Sequence, residues 1–183
     1  ISAPPIRIGW TGAPWTRPND LAILKHLANW IVERPHELQL VHVGHMDNLP
    51  SFAKALDLDP ALVETHPLES HKNYLQNLNF HIGLAPLDHT CFNCFKSAIK
   101  VIEYSALGIP WLASETSPYQ NLCRQWSWSG RLCRDPSHWI EQIQPLLHDK
   151  TRRQEGDQLK QLCQKHASYD FGVNQWKTLL SAC

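Results

Sequence analysis

Short apolar runs alternate along this chain with amphipathic stretches, and that alternation predicts a sheet covered by helices. The first run, Ile6 to Thr11, reads as a strand. Asn19 or Asp20 then caps a helix in which Leu21, Leu24, Ala28 and Ile31 keep helical spacing until Arg34-Pro35 ends it. Leu38 to Gly44 is nearly continuous in apolar residues, the mark of a strand buried on both faces. A weaker helix over Ser51 to Leu56, a short strand at Val63 to His66 and a helix over Ser70 to Leu78 follow. Phe80 to Ala85, a helix from Lys96 to Leu107 and Trp111 to Ser114 make a further strand–helix–strand unit. Beyond it the pattern gives a helix at Pro118 to Trp126, a strand at Gly130 to Cys133 and a helix at Ser137 to Leu147. The polar stretch Thr151 to His166 reads as a surface helix, with a short last helix over Val173 to Leu180. Such alternation predicts an α/β fold, a Rossmann-like three-layer αβα sandwich around a parallel sheet of about six strands.

Composition narrows the partners rather than the fold. With 183 residues, 43% of them hydrophobic, the chain can fill one core, so 1–183 reads as a single domain. Basic and acidic residues number 17 each, and a chain without net charge is not expected to seek nucleic acid or an anionic membrane. No apolar run approaches the ~20 residues of a transmembrane segment, and no secretory pattern opens the sequence. Ile1 stands where a start methionine would, and Ser2-Ala3-Pro4-Pro5 resembles a linker, so the chain reads as a piece of a longer protein. Of its six cysteines only Cys91-x-x-Cys94 has a suggestive spacing. His81 and His89 stand near it, but nothing in the sequence completes a zinc ligand set, and no metal is expected. A thioredoxin-like role is disfavoured because that motif should open a helix after the first strand of its own fold. Reduced thiols in a cytoplasmic protein are the expectation.

Candidate chemistry gathers around the helix that begins near Lys96. Lys96, Lys100 and Glu103 fall within an arc of roughly 60° on it, while Ile99, Ile102 and Ala106 form a separate apolar stripe. A solvated charged face would look the same. Position argues for more, because helix N-termini at the carboxyl ends of parallel strands are where ligands bind, and two cations there favour an anion such as phosphate. Asn93 either caps this helix or bonds a sugar or phosphate oxygen. Gly12, at the end of the first strand, would let backbone approach a ligand closely, and Arg17 follows in the same loop.

The run Lys100-x-x-Glu103-Tyr104-x-Ala106-x-Gly108-x-Pro110, followed by a strand and Ala113-Ser114, resembles the nucleotide-sugar-binding signature of GT-B glycosyltransferases, in particular the retaining enzymes of family four. Ile6-Arg7-Ile8-Gly9-Trp10-Thr11-Gly12 is similar to the first strand and glycine turn of their C-terminal domain. The resemblance implies a donor-binding half whose N-terminal acceptor domain lies elsewhere in the parent protein. It also implies a nucleoside-diphosphate sugar as donor substrate, with no separate cofactor. Glu103 would bond the ribose hydroxyls, and Arg17, Lys96 and Lys100 would neutralise the departing diphosphate. Gly12 and Asn93 would complete the donor site, and His45 would lie near the nucleobase. Lys100, Glu103 and Arg17 are the catalytic candidates. In the resembled motif Glu103 is the second of two glutamates separated by seven residues; the first falls on Phe95. Two alternatives remain open, a degenerate non-catalytic binding module and half of a sugar-nucleotide epimerase.

Overall fold

The computed structural model describes residues 4–67, 74–168 and 172. Its six strands are β1 (Ile6–Thr11), β2 (Leu38–Gly44), β3 (Val63–Pro67), β4 (Ile82–Ala85), β5 (Trp111–Ser114) and β6 (Leu132–Cys133). All pair in parallel, in the order β3-β2-β1-β4-β5-β6. This is the doubly wound order of a Rossmann fold, as the alternation of apolar and amphipathic segments predicts.

Around the sheet stand helices α1 (Pro18–Ala22), α2 (Lys25–Val32), α3 (Leu49–Leu56), α4 (Tyr74–Asn77), α5 (Cys91–Cys94), α6 (Ile99–Ala106), α7 (Ser117–Gln125), α8 (Pro136–Ile143) and α9 (Asp149–His166). Successive strand residues face opposite layers, so the continuous apolar run of β2 serves two cores. Leu40 joins Ile8, Ile31, Phe52 and Trp139 beneath α2, α3 and α8. Val41 and Val43 join Val101, Tyr104, Trp111 and Leu159 beneath α6 and α9.

What seats α6 is a missing side chain. A Cβ on Gly83 of β4 would lie 2.5 Å from the Tyr104 ring, so glycine leaves the space in which that ring rests. The Tyr104 hydroxyl then donates to the Leu84 carbonyl at 3.2 Å. At the next residue of α6, the Trp111 indole N–H donates to Ser105 Oγ at 2.9 Å, both residues being fully buried. Ser105→Ala therefore strands a buried donor, and unfolding stability should fall by about 1–3 kcal/mol, read as a lower urea midpoint at unchanged m-value.

Several boundaries differ from the sequence pattern. The first helix is broken at Ile23-Leu24 into α1 and α2, and Asp20 lies inside α1 rather than capping it. The helix expected from Lys96 begins at Ile99, with Ala98 as its N-cap, and the separate turn α5 precedes it. Leu107, which the spacing places with the packing residues Tyr104 and Trp111, is exposed. Ser70 to Leu78 is described only from Tyr74 onward, and the helix read over Val173 to Leu180 lies outside the described residues.

Candidate functional site

β1 and β4 are neighbours in the sheet, yet their following helices cover opposite faces. A crevice opens where such connections diverge. Here it is a cleft of about 500 Å³ lined by Trp10 to Ala13, Arg17, Asp20, Pro86, Leu87, Lys96, Lys100, Glu103 and Tyr119. A more open depression of about 460 Å³ lies between Gln120, Arg124 and Trp128, away from these strand ends, and gathers a single charged side chain.

The floor of the cleft is the turn after β1. Gly12 has φ +143°, a conformation that side chains disfavour, and a Cβ there would stand 2.9 Å from the Trp10 ring and 3.7 Å from Lys100 Nζ. Both carbonyls of this turn are held by side chains. Thr11 O accepts from Lys100 Nζ, and Gly12 O accepts from His42 Nε2 at 3.4 Å. His42 packs against both Phe52 and Trp10, with ring centres 4.7 and 5.7 Å away and planes within 19° and 17° of parallel. Burial pushes its pKa down to about 4, so it is neutral at ordinary pH, and its Nδ1 is buried without a hydrogen-bond partner.

Lys100 enters from α6, its ammonium 5.1 Å from the centre of the Trp10 ring. The residue as a whole is partly buried, but desolvation of its charged end pushes its pKa down to about 8, against the opposing pull of Glu103 one turn along; Arg17 pushes the same way as burial. Lys96 projects from the loop before α6, is only 17% exposed, and lies 3.6 Å from Asp20 Oδ2. Arg17, 46% exposed, lies 3.9 Å from the same oxygen. Three cations thus meet two carboxylates across the cleft, an arrangement with positive charge to spare for an anionic ligand.

An anion seated here would need the charged form of Lys100. Its affinity should be level below about pH 8 and fall up to tenfold per pH unit above it, because each binding event then takes up a proton. Isothermal titration with nucleoside diphosphate from pH 6.5 to 9.5 measures this; a flat profile would remove Lys100 from the ligand's contacts.

Sequence reasoning placed Gly12, Arg17, Lys96, Lys100 and Glu103 together, and all five line this cleft. Asn93 has a different position. It lies within α5, so it does not cap α6, and it is 5% exposed and absent from the cleft lining. Its side-chain N–H groups donate to Asp20 Oδ1 at 2.9 Å and to the Asp88 carbonyl at 2.8 Å. Asn93 therefore holds Asp20, whose other oxygen faces Lys96 and Arg17. His45 is exposed, 3.3 Å from Asp47, and is likewise outside the cleft. Phe95, where the resembled motif has its first glutamate, is 86% exposed. His81 accepts from the Arg7 backbone N–H at the opposite end of β4 from Cys91 and Cys94, and no group of three potential metal ligands occurs among the described residues.

Two residues of the site went unnoticed in the sequence. Asp20 was read only as a candidate cap of the first helix. His42 did leave a trace, as the lone ionisable residue inside an otherwise apolar strand.

No known family profile matches this chain, and no curated protein is detectably similar to it in sequence. Its fold is shared with solved structures. TarM superposes at TM-score 0.68 with 11% identity, over 98% of this chain and 36% of that one. WaaG, a glycosyltransferase involved in lipopolysaccharide biosynthesis, gives 0.67 with 14% identity over 96% and 47%. Anabaena HepE, solved in complex with UDP-glucose, gives 0.66 with 13% identity over 98% and 49%. The chain therefore spans between about a third and a half of each, and its fold is the Rossmann-like α/β half found in GT-B glycosyltransferases.

Proposed function

We propose that this chain is the donor-binding domain of a glycosyltransferase, holding a nucleoside-diphosphate sugar for transfer to an acceptor presented by a further domain of the parent protein. The observation that carries the reading is the pair Lys100 and Glu103, one turn apart on α6 and both inside the cleft at the switch of the sheet. Diphosphate departure builds negative charge at the leaving group, and preorganised cations in a partly dry site stabilise it without a metal ion. Lys100, Arg17 and Lys96 would serve there, the last two sharing Asp20 as counter-ion. Glu103 would accept hydrogen bonds from ribose hydroxyls.

UDP, GDP and ADP, each titrated against the chain by thermal shift, test this. One of them at about 100 times its Kd should add about 2.7 kcal/mol of stability, a rise of several degrees in Tm. No response to any of the three would overturn the reading. Phe95 in place of a carboxylate favours a second reading, a module that keeps nucleotide binding but not chemistry. Transfer of labelled sugar by the full parent protein separates the two.

A further inference from the structure

Thr90 caps the short turn α5, and within it Cys91 and Cys94 lie three residues apart. Helical geometry puts such residues about 60° apart around the axis, with Cα atoms about 5 Å apart. That separation falls inside the range of roughly 4.4–6.8 Å that a disulfide spans. Both thiols are exposed, on the side of the turn away from buried Asn93. Cys123, Cys133 and Cys163 are buried, and burial pushes their thiols up, Cys123 to about 11. Among the described residues, Cys91 and Cys94 are therefore the thiols that a dissolved oxidant reaches.

The two residues enclosed by this pair both touch the cationic wall of the cleft. The Phe92 ring centre lies 5.1 Å from Lys96 Nζ. Asn93 holds the Asp20 carboxylate that faces Lys96 and Arg17. Closing the turn would hold both at once.

We propose that Cys91 and Cys94 form a redox-active dithiol whose disulfide fixes the Lys96–Asp20 wall and thereby tightens anion binding in the cleft. The oxidant is a small disulfide such as oxidised glutathione. A thiolate of the pair attacks one glutathione sulfur, forming a mixed disulfide and releasing one glutathione thiolate. The second cysteine thiolate then displaces the other glutathione, so two electrons pass from the pair to glutathione and the two thiol protons go to the two released thiolates. The ligand part of this proposal rests on the nucleotide reading; the dithiol itself does not.

The test uses the chain with Cys183→Ser, equilibrated in oxidised or reduced glutathione. Intact mass should show the loss of two hydrogens without a retained adduct. Amide hydrogen exchange across 88–98 should slow by about threefold or more in the oxidised form, since a bridged turn opens less often. UDP affinity should rise by about the same factor, because the ordering of the wall is then already met. The double variant Cys91→Ser/Cys94→Ser should lose every redox response while binding UDP as the reduced chain does, and either single variant should stop at a retained glutathione adduct. A persistent glutathione adduct with both cysteines present, a disulfide that leaves exchange at 88–98 unaltered, or unchanged affinity in a chain that binds UDP would each overturn the proposal. Failure of both forms to bind UDP, with exchange still responding, would instead overturn the nucleotide reading and sustain the dithiol as a switch of the wall.

Discussion

Lys100→Met should weaken nucleoside-diphosphate binding by about 10- to 100-fold while changing the melting temperature little. The two halves of this result have separate causes. A charge-assisted contact to phosphate contributes about 1.5–3 kcal/mol, and each 1.4 kcal/mol is tenfold in Kd. The same ammonium is held against its own preference, because burial lowers its pKa to about 8, but it also donates to the buried Thr11 carbonyl, so the relief that an apolar chain brings and the loss of that bond offset each other. Glu103→Gln should act differently. With its support for the charged lysine removed, the fall in affinity with pH should begin below pH 8, in addition to a loss of affinity at neutral pH. Calorimetric titration of each variant decides both points. Full UDP affinity in Lys100→Met would place the ligand elsewhere.

Gly156→Ala should be among the most destabilising small substitutions in the chain, at about 3 kcal/mol or a drop of roughly 6–12 °C in Tm. Gly156 lies in α9 where that helix crosses the turn after α6, and a Cβ there would run into the Gly108 carbonyl. That obstacle is backbone, in a turn whose Gly108 has φ +70°, so no side chain can rotate aside. Relief requires α9 to move away from α6, which loosens the buried contacts of Leu159 and Val101. Because α6 carries Lys100 and Glu103, nucleotide affinity should fall together with stability. Differential scanning measures the first effect and titration below the melting range the second. A Tm within a degree of the parent would show that α9 is not seated on α6.

The resemblance carried by Lys100-x-x-Glu103 through Pro110 was legible because its determinants are local. Residues three apart share a helix face whatever surrounds them, so spacing alone places Lys100 and Glu103 on one side. The glycine turn after β1 was legible for a similar reason, since a strand end followed by glycine needs no distant partner to be recognised. Asp20 and Asn93 were misread because their roles are set by each other. They are 73 residues apart in sequence, and one holds the other across the mouth of the cleft at 2.9 Å. Lacking that contact, each reverts to its local preference as a capping residue. The break at Ile23-Leu24 and the late start of α6 have the same origin: a continuous helical pattern says where the apolar face lies but not where a neighbouring loop interrupts the ladder.

The sequence by itself determined a parallel sheet covered on both faces, since only strands buried on two sides read as continuous apolar runs between amphipathic helices. It determined the Lys100–Glu103 pair of α6 as well, whereas Lys96 reaches the cleft from the loop before that helix. Strand order, and with it the meeting of β1, α1 and α6 at one cleft, was decided by the tertiary structure alone. Periodicity records which way each residue faces within its own element, whereas the burial that lowers the pKa of Lys100, stacks His42 and orients Asp20 arises from elements brought together across the sheet.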